Sequence, residues 1–293
     1  MLWPVAVGGE RGGAGPPECG PPTPARHILA GREAKTMTNV MRGALAIVAV
    51  ALATRDAIAQ DAAQLLALGD SAHAAFRAAE ALEHYEAAIA ADSGNAEAWS
   101  KASLAAVDLG EGEENANRRR ELFRLGERYA RRAVAIDSAN ATHLFNLARA
   151  LGRTALSVGV RDRVKYAVEI RDLALAALEL DPDHPGALHV LGMWHAEVKR
   201  LNGFEKFFAE RFLGGGIFRE ANWKDAVTYL ERAVAVDPQR LVHHLDLGKI
   251  YADIGEKAKA REQFEFVVNA TQQTDVNDPL YKRQAQEALG RLG

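Results

Sequence analysis

Residues 241–270 read LVHHLDLGKIYADIGEKAKAREQFEFVVNA, and this stretch decides the fold. Leu247 and Gly248 are followed three places later by Tyr251, then Ala260 is followed four places later by Phe264. These spacings put each set on one face of a helix. Small residues at Gly248 and Ala260 let two helices approach closely, and the large ones fill the space between them. The unit therefore predicts a pair of antiparallel helices with a shared seam.

The same unit recurs along the chain, marked by its junctions. The phrases AAIAADSGNA from Ala87, RAVAIDSANA from Arg132, AALELDPDHP from Ala176 and RAVAVDPQRL from Arg232 share one plan. Each is an apolar helix end, then Asp, then Ser or Pro, then a new helix; Pro suits the position because it cannot continue the preceding helix. Around the junctions the tetratricopeptide pattern fits, W-x2-L-G-x2-Y, then A-x3-F, then P. Leu65, Leu68, Gly69, Ala81 and Tyr85 carry it first, Trp99 opens the second unit, and Leu144 and Leu147 mark the third. Leu188, Leu191, Gly192, Ala226, Ala233 and Pro238 carry the fourth.

The junction aspartates 92, 137, 181 and 237 are more than the usual 34 residues apart. The excesses, about 11, 10 and 22 residues, are close to whole helical turns. Longer helices are therefore expected in repeats 2 and 3, and an added helix within repeat 4. That added helix is expected in LNGFEKFFAERFLGGG, residues 201–216, with Phe204, Phe207 and Phe208 on one face. Asp278-Pro279 begins a last helix as N-cap and first-turn Pro, and Gly290 stands where a helix stops. The expected architecture is all-α: a right-handed solenoid of about five helix pairs plus a solvating C-terminal cap helix. Repeats are expected near 62–95, 96–140, 141–184, 185–240 and 241–274, with the cap at 279–291.

One part of the array is more specific. LHVLGMWHAEVKRLNGFEKFFAERFLGG, then WKDAVTYLERAVAVDPQRLVHHLDLGKIYADIGEKAKAREQF, resembles the regulator of microtubule dynamics family. The resemblance rests on Leu191, Gly192, Trp194, Glu197, Val198, Phe208, Phe212, Gly214, Ala226, Ala233, Leu247, Gly248, Lys249 and Tyr251, over about 80 residues. It implies an all-helical interaction protein with no known catalytic residues. It does not carry over the microtubule role, and the chain looks like one of the family's bacterial repeat proteins.

The first 60 residues differ from the rest. Residues 1–36 hold most of the prolines and many glycines without helical or strand period. Residues 37–59 have the layout of a signal peptide: Arg42, the apolar run Gly43 to Ala53, and Ala57-Ile58-Ala59 before Gln60. Eleven apolar residues are too few to span a bilayer. The true start is expected at Met37 or Met41, with export to the periplasm; an uncleaved N-terminal anchor is the alternative. Cys19 is the single cysteine and precedes the expected cut. The mature chain, residues 60–293, is then expected to have no disulfide, no thiolate metal site and no transmembrane segment.

Composition narrows the function. The net charge is −3, so no nucleic-acid partner is expected. Gly214 to Gly216 lack the Gly-Lys-Ser/Thr of a phosphate loop. His189, His195, His243 and His244 have no metal-site spacing, and His244 sits where Trp99 sits in repeat 2, so its ring is expected in the core. No catalytic triad or paired-carboxylate motif stands out; no enzyme activity, cofactor or metal is expected. Arg120, Arg124, Arg128 and Arg132 form a basic stripe with Arg118, Arg119 and Arg131 beside it. Glu121 and Glu127 interleave, which favours a solvated, salt-bridged face over a surface for acidic partners or anionic lipid.

The default binding surface of such an array is its concave groove, lined by the first helix of each repeat. Counting from the Leu-Gly positions places Phe145, Arg149, Arg153, His189, Met193, Glu197, Lys249 and Asp253 there. A protein or peptide partner is expected in it; a chaperone-tail carboxylate clamp is not recognisable. The alternative is a carrier of an apolar or lipid ligand, using the groove and the Phe-rich stretch.

Overall fold

The computed structural model describes residues 60–201 and 217–293. Residues 1–59 and 202–216, with the expected signal peptide, the glycine run and the inserted amphipathic helix, lie outside them. Eleven α-helices follow in order among the described residues: α1 over 60–74, α2 Ala78–Ala91, α3 Ala96–Gly112, α4 Ala116–Ile136, α5 Ala141–Ala155, α6 Val160–Leu180 and α7 Pro185–Arg200. After a short 3-10 turn at Ile217–Glu220 come α8 Trp223–Val236, α9 Leu241–Asp253, α10 Lys257–Asn269 and α11 Asp278–Leu292.

They pack as successive hairpins in a helical solenoid. Each odd-numbered helix up to α9 lies against the even-numbered one after it, and α3, α5, α7, α9 and α11 also touch one another in sequence. That second set of contacts makes them the inner wall. α4 and α6 each run 21 residues, against 14 for α2 and 13 for α10, so extra length in repeats 2 and 3 is helical.

The recurring junction has a physical cause. The side-chain oxygen of Asp92 accepts from Gly94 N–H at 2.9 Å, Asp137 from Ala139 at 3.0 Å and Asp181 from Asp183 at 3.2 Å. Each Asp thus closes an Asx turn. The next helix is then capped by Asn95, Asn140 or, in the third case, the His184 ring, which accepts from Ala187 N–H.

The seam depends on missing side chains. A Cβ on Gly192 would lie 1.7 Å from Leu230 Cδ2 and 3.1 Å from the Ala226 carbonyl oxygen. Ala81, Ala226 and Ala260 are fully buried on the facing helices. Between α9 and α10, Gly255 takes a left-handed conformation (φ 84°); the matching turn between α1 and α2 places Phe76 at φ 59°, which an L-residue adopts only at a cost.

Helix α11 does more than shield the last repeat. Tyr281, Ala285 and Leu292 are buried, and its first turn reaches across the inner face to α3. Asn277 Nδ2 donates to the Asp108 carbonyl at 3.0 Å and the Tyr281 hydroxyl donates to Glu111 Oε2 at 2.7 Å. The solvating cap read from the sequence is therefore also a bridge, because the curvature of the array brings repeat 2 opposite the C-terminus. No helix among the described residues is long and apolar enough to cross a membrane.

Candidate functional site

The inner wall carries two charge clusters. In the first, Arg149 on α5 donates through Nη2 to Asp108 Oδ1 at 2.7 Å and to Glu111 Oε1 at 2.8 Å. Arg153, one turn on, donates through Nε to Glu111 Oε1 at 2.9 Å. His73 Nε2 lies 3.0 Å from Asp108 Oδ2. Burial by itself would raise the Glu111 pKa; the Arg153 and Arg149 charges outweigh it and hold the carboxyl at about 2. Burial and the adjacent Glu111 carboxylate push the Tyr281 hydroxyl far above its ordinary value, so it stays a donor.

The second cluster joins α7 to α9. His189 Nδ1 lies 2.8 Å from His243 Nδ1, His189 Nε2 lies 3.2 Å from Asp246 Oδ2, and Lys249 Nζ donates to Asp246 Oδ1 at 2.9 Å. A carboxylate can only accept, so His189 presents a proton to Asp246 from Nε2, and the two Nδ1 atoms share one proton between the rings. The chain His243, His189 and Asp246 thereby ties α7 to α9. Burial, then the neighbouring His189 and Arg240, lower the His243 pKa to about 2. For Asp246, burial opposes and Lys249 and His189 favour ionisation; the net result is a carboxyl held well below its usual range.

Seven of the eight residues assigned to the groove border its cavities. Arg149, Arg153, His189, Met193 and Glu197 border a cavity of about 360 Å³ whose other walls include Val164, Ile170, Trp194 and Phe218. Lys249 and Asp253 border an adjoining space of about 670 Å³ with Arg153, Met193 and Glu197. Phe145 lines neither; its ring packs over Gly186 and lies 5.0 Å from the His184 ring. It serves the α5 to α7 contact, where the absent Cβ leaves room for it. Arg200 ties the far rim together, paired with Glu197 and donating through Nε to Asp253 at 2.9 Å.

The counting scheme missed Asp108, Glu111, His243, Asp246 and Tyr281. The first pair had a readable signal: carboxylates at i and i+3 on α3 answer arginines at i and i+4 on α5. His244 is buried as expected, stacked 3.9 Å from Phe266 and hydrogen-bonded at Nε2 to the Pro238 carbonyl at 3.0 Å. Among the described residues no group of three or more His, Cys, Asp or Glu side chains could hold a metal ion.

Paired helices, a small-residue seam and an inner wall of first helices define a tetratricopeptide solenoid. The family model for regulator of microtubule dynamics protein 1-3 matches residues 60–293, and the chain belongs to that family. No curated protein matches it. Among solved structures, a thermophilic tetratricopeptide protein of Thermus thermophilus, TTC0263, is similar with TM-score 0.56 at 17% identity, covering 77% of this chain and 99% of that one. PilF of Pseudomonas aeruginosa is similar with TM-score 0.48 at 16% identity, covering 80% and 91%. At 17% identity the first of these likenesses concerns the fold alone.

Proposed function

We propose that the protein is an exported, non-enzymatic scaffold that binds a protein or peptide segment in its concave face. One observation carries this reading: the cavity of about 360 Å³ on the inner wall is lined by apolar side chains, among them Val164, Ile170, Met193 and Trp194, together with the charged Arg149, Arg153, Glu197 and Asp246. Such a site takes an apolar side chain and holds the flanking backbone with polar groups. The ionisable side chains of the wall support a binding role over a catalytic one, because Asp108, Glu111 and Asp246 are each already engaged by cations. A variant with Val190→Trp and Met193→Trp fills the cavity. It is expected to keep its melting temperature and lose the partner that the wild type recovers from envelope extract. Recovery of the same partner by the filled variant would refute the assignment.

Export rests on residues 37–59. Amino-terminal sequencing of the protein from a periplasmic fraction is expected to begin at Gln60. A chain retained in the cytoplasm contradicts export, and one that keeps residues 37–59 at the membrane supports the anchor instead.

The apolar character of the same cavity favours a second reading, a carrier of an apolar or lipid ligand. Native mass spectrometry of protein purified without detergent decides it. A single apo mass that does not shift on incubation with a lysophospholipid rules the carrier out.

A further inference from the structure

Helix α4 lies on the outer side of the second hairpin and carries seven exposed arginines, 118, 119, 120, 124, 128, 131 and 132. Its apolar face, Leu122, Phe123, Gly126, Ala130 and Ala133, is buried. If the stripe were a salt-bridged surface, the arginines would meet carboxylates. Only Arg118 and Arg131 do: Arg118 lies 3.4 Å from Glu121, and Arg131 takes Glu127 and Glu169. Glu127 is shared with the Tyr166 hydroxyl, so both interleaved glutamates are used. Arg119 donates to the Glu113 carbonyl and Arg120 to the Asn117 side chain, neutral acceptors that leave the charges uncompensated. Arg124, Arg128 and Arg132 meet no carboxylate among the described residues.

This arrangement works against the helix. Like charges four apart repel, and no acidic residue stands in the first turn, where Arg118 and Arg119 oppose the helix dipole. In a chain of net charge −3, the ridge is a local exception.

We infer that the arginine ridge of α4 is an interaction surface for an acidic protein segment, separate from the concave face. The four-residue step of Arg120, Arg124, Arg128 and Arg132 advances about 6 Å along the axis each time, a spacing that carboxylates on one face of an acidic helix reproduce. Arginine suits this partner because its planar fork binds a carboxylate through two parallel hydrogen bonds. A flat anionic bilayer fits less well. The neighbouring outer helix α2 carries Glu80, Glu83 and Glu86, α6 mixes Arg161 and Lys165 with Asp162 and Asp172, and the exposed side of α4 offers no large apolar side chain to insert. The ridge is one helix wide, with acidic charge on its α2 side and both signs on its α6 side, so a single segment lying along it meets more of its arginines than a broad surface does.

The test uses the full chain and a fluorescein-labelled helical peptide with Glu at every fourth position, read by anisotropy. Arg124→Gln, Arg128→Gln and Arg132→Gln together are expected to weaken binding at least about tenfold, and to do so less at about 300 mM salt than at about 50 mM. A second triple, Arg161→Gln, Lys224→Gln and Arg261→Gln, makes the same change in net charge elsewhere and is expected to bind as the wild type does. Circular dichroism is expected to show equal helix content in all three proteins. Equal loss in both triples, or none in either, overturns the proposal. So does ridge-dependent binding to vesicles of phosphatidylcholine and phosphatidylglycerol, or to single-stranded DNA, without binding to the peptide.

Discussion

The two faces of this solenoid treat arginine in opposite ways. On the inner wall Arg149 and Arg153 are half-buried against the buried carboxylates of Asp108 and Glu111, each with its guanidinium held by a carboxylate. On the outer ridge Arg124, Arg128 and Arg132 stand exposed with no carboxylate in reach among the described residues. The same side chain is structural in one place and available in the other. What differs is solvent: a buried cation must be paired because water cannot hold it, whereas an exposed one is stabilised by water until a partner replaces it.

The largest expected effect tests the inner half of this contrast. Glu111→Ala leaves two half-buried guanidinium groups short of their shared carboxylate, and chemical denaturation is expected to show a loss of about 3 kcal/mol. A loss below about 1 kcal/mol would mean that water reaches the cluster and that the two faces are alike.

Acid sharpens the contrast next. Glu111 is held at about 2 in the folded protein against an ordinary 4.5, a difference on the order of 3 kcal/mol. Its folded value is depressed, so this stability is present above the unfolded pKa and drains away as pH falls from about 4.5 towards 2. His243 adds a step at higher pH. Its folded value is also depressed, from 6.5, so below 6.5 the unfolded chain takes up a proton that the folded one refuses, and stability falls with pH. Denaturation midpoints measured across pH are expected to decline from below about 6.5, and His243→Gln is expected to flatten the upper part of that decline. An unchanged profile in the variant would mean that the folded chain takes up a proton at His243 as readily as the unfolded one does.

Tyr281→Phe removes one hydrogen bond to Glu111 while keeping the ring, with an expected cost of about 1–2 kcal/mol in the same denaturation assay. At the small end, Arg124→Ala and Arg128→Ala are expected to change stability by no more than about 0.5 kcal/mol, with a gain where i,i+4 repulsion is relieved. A cost above about 1 kcal/mol at either position would show that the ridge is structural after all.

The fold was legible because its signal is local. Gly248, Ala260 and Phe264 sit within two helices, and their spacing alone requires the hairpin that α9 and α10 form. The groove was half legible for a related reason. Periodicity says which face of α5 looks inward, and Arg149 and Arg153 on that face border the inner cavity. It does not say which charge they meet, since Asp108 and Glu111 lie one repeat away. Tyr281 lay further beyond reach, because its approach to α3 depends on the curvature accumulated over four hairpins. Phe145 shows the limit of counting within one helix: a half-buried position next to the groove is taken by whatever the neighbouring helix leaves open, here the space above Gly186. The outer ridge was visible as a stripe, but its reading changed once Glu121 and Glu127 could be assigned to particular arginines.

The link from α11 to α3 changes how the chain comes apart. A linear array of repeats holds each unit only to its neighbours, so its ends fray first and partly unfolded forms accumulate. Here residues 108 and 111 are fastened to residues 277 and 281, some 170 positions later. The C-terminal hairpin cannot peel away without also breaking contacts in repeat 2. The array from α3 to α11 is thereby closed into a loop, and it is expected to melt as one unit rather than fray from α11.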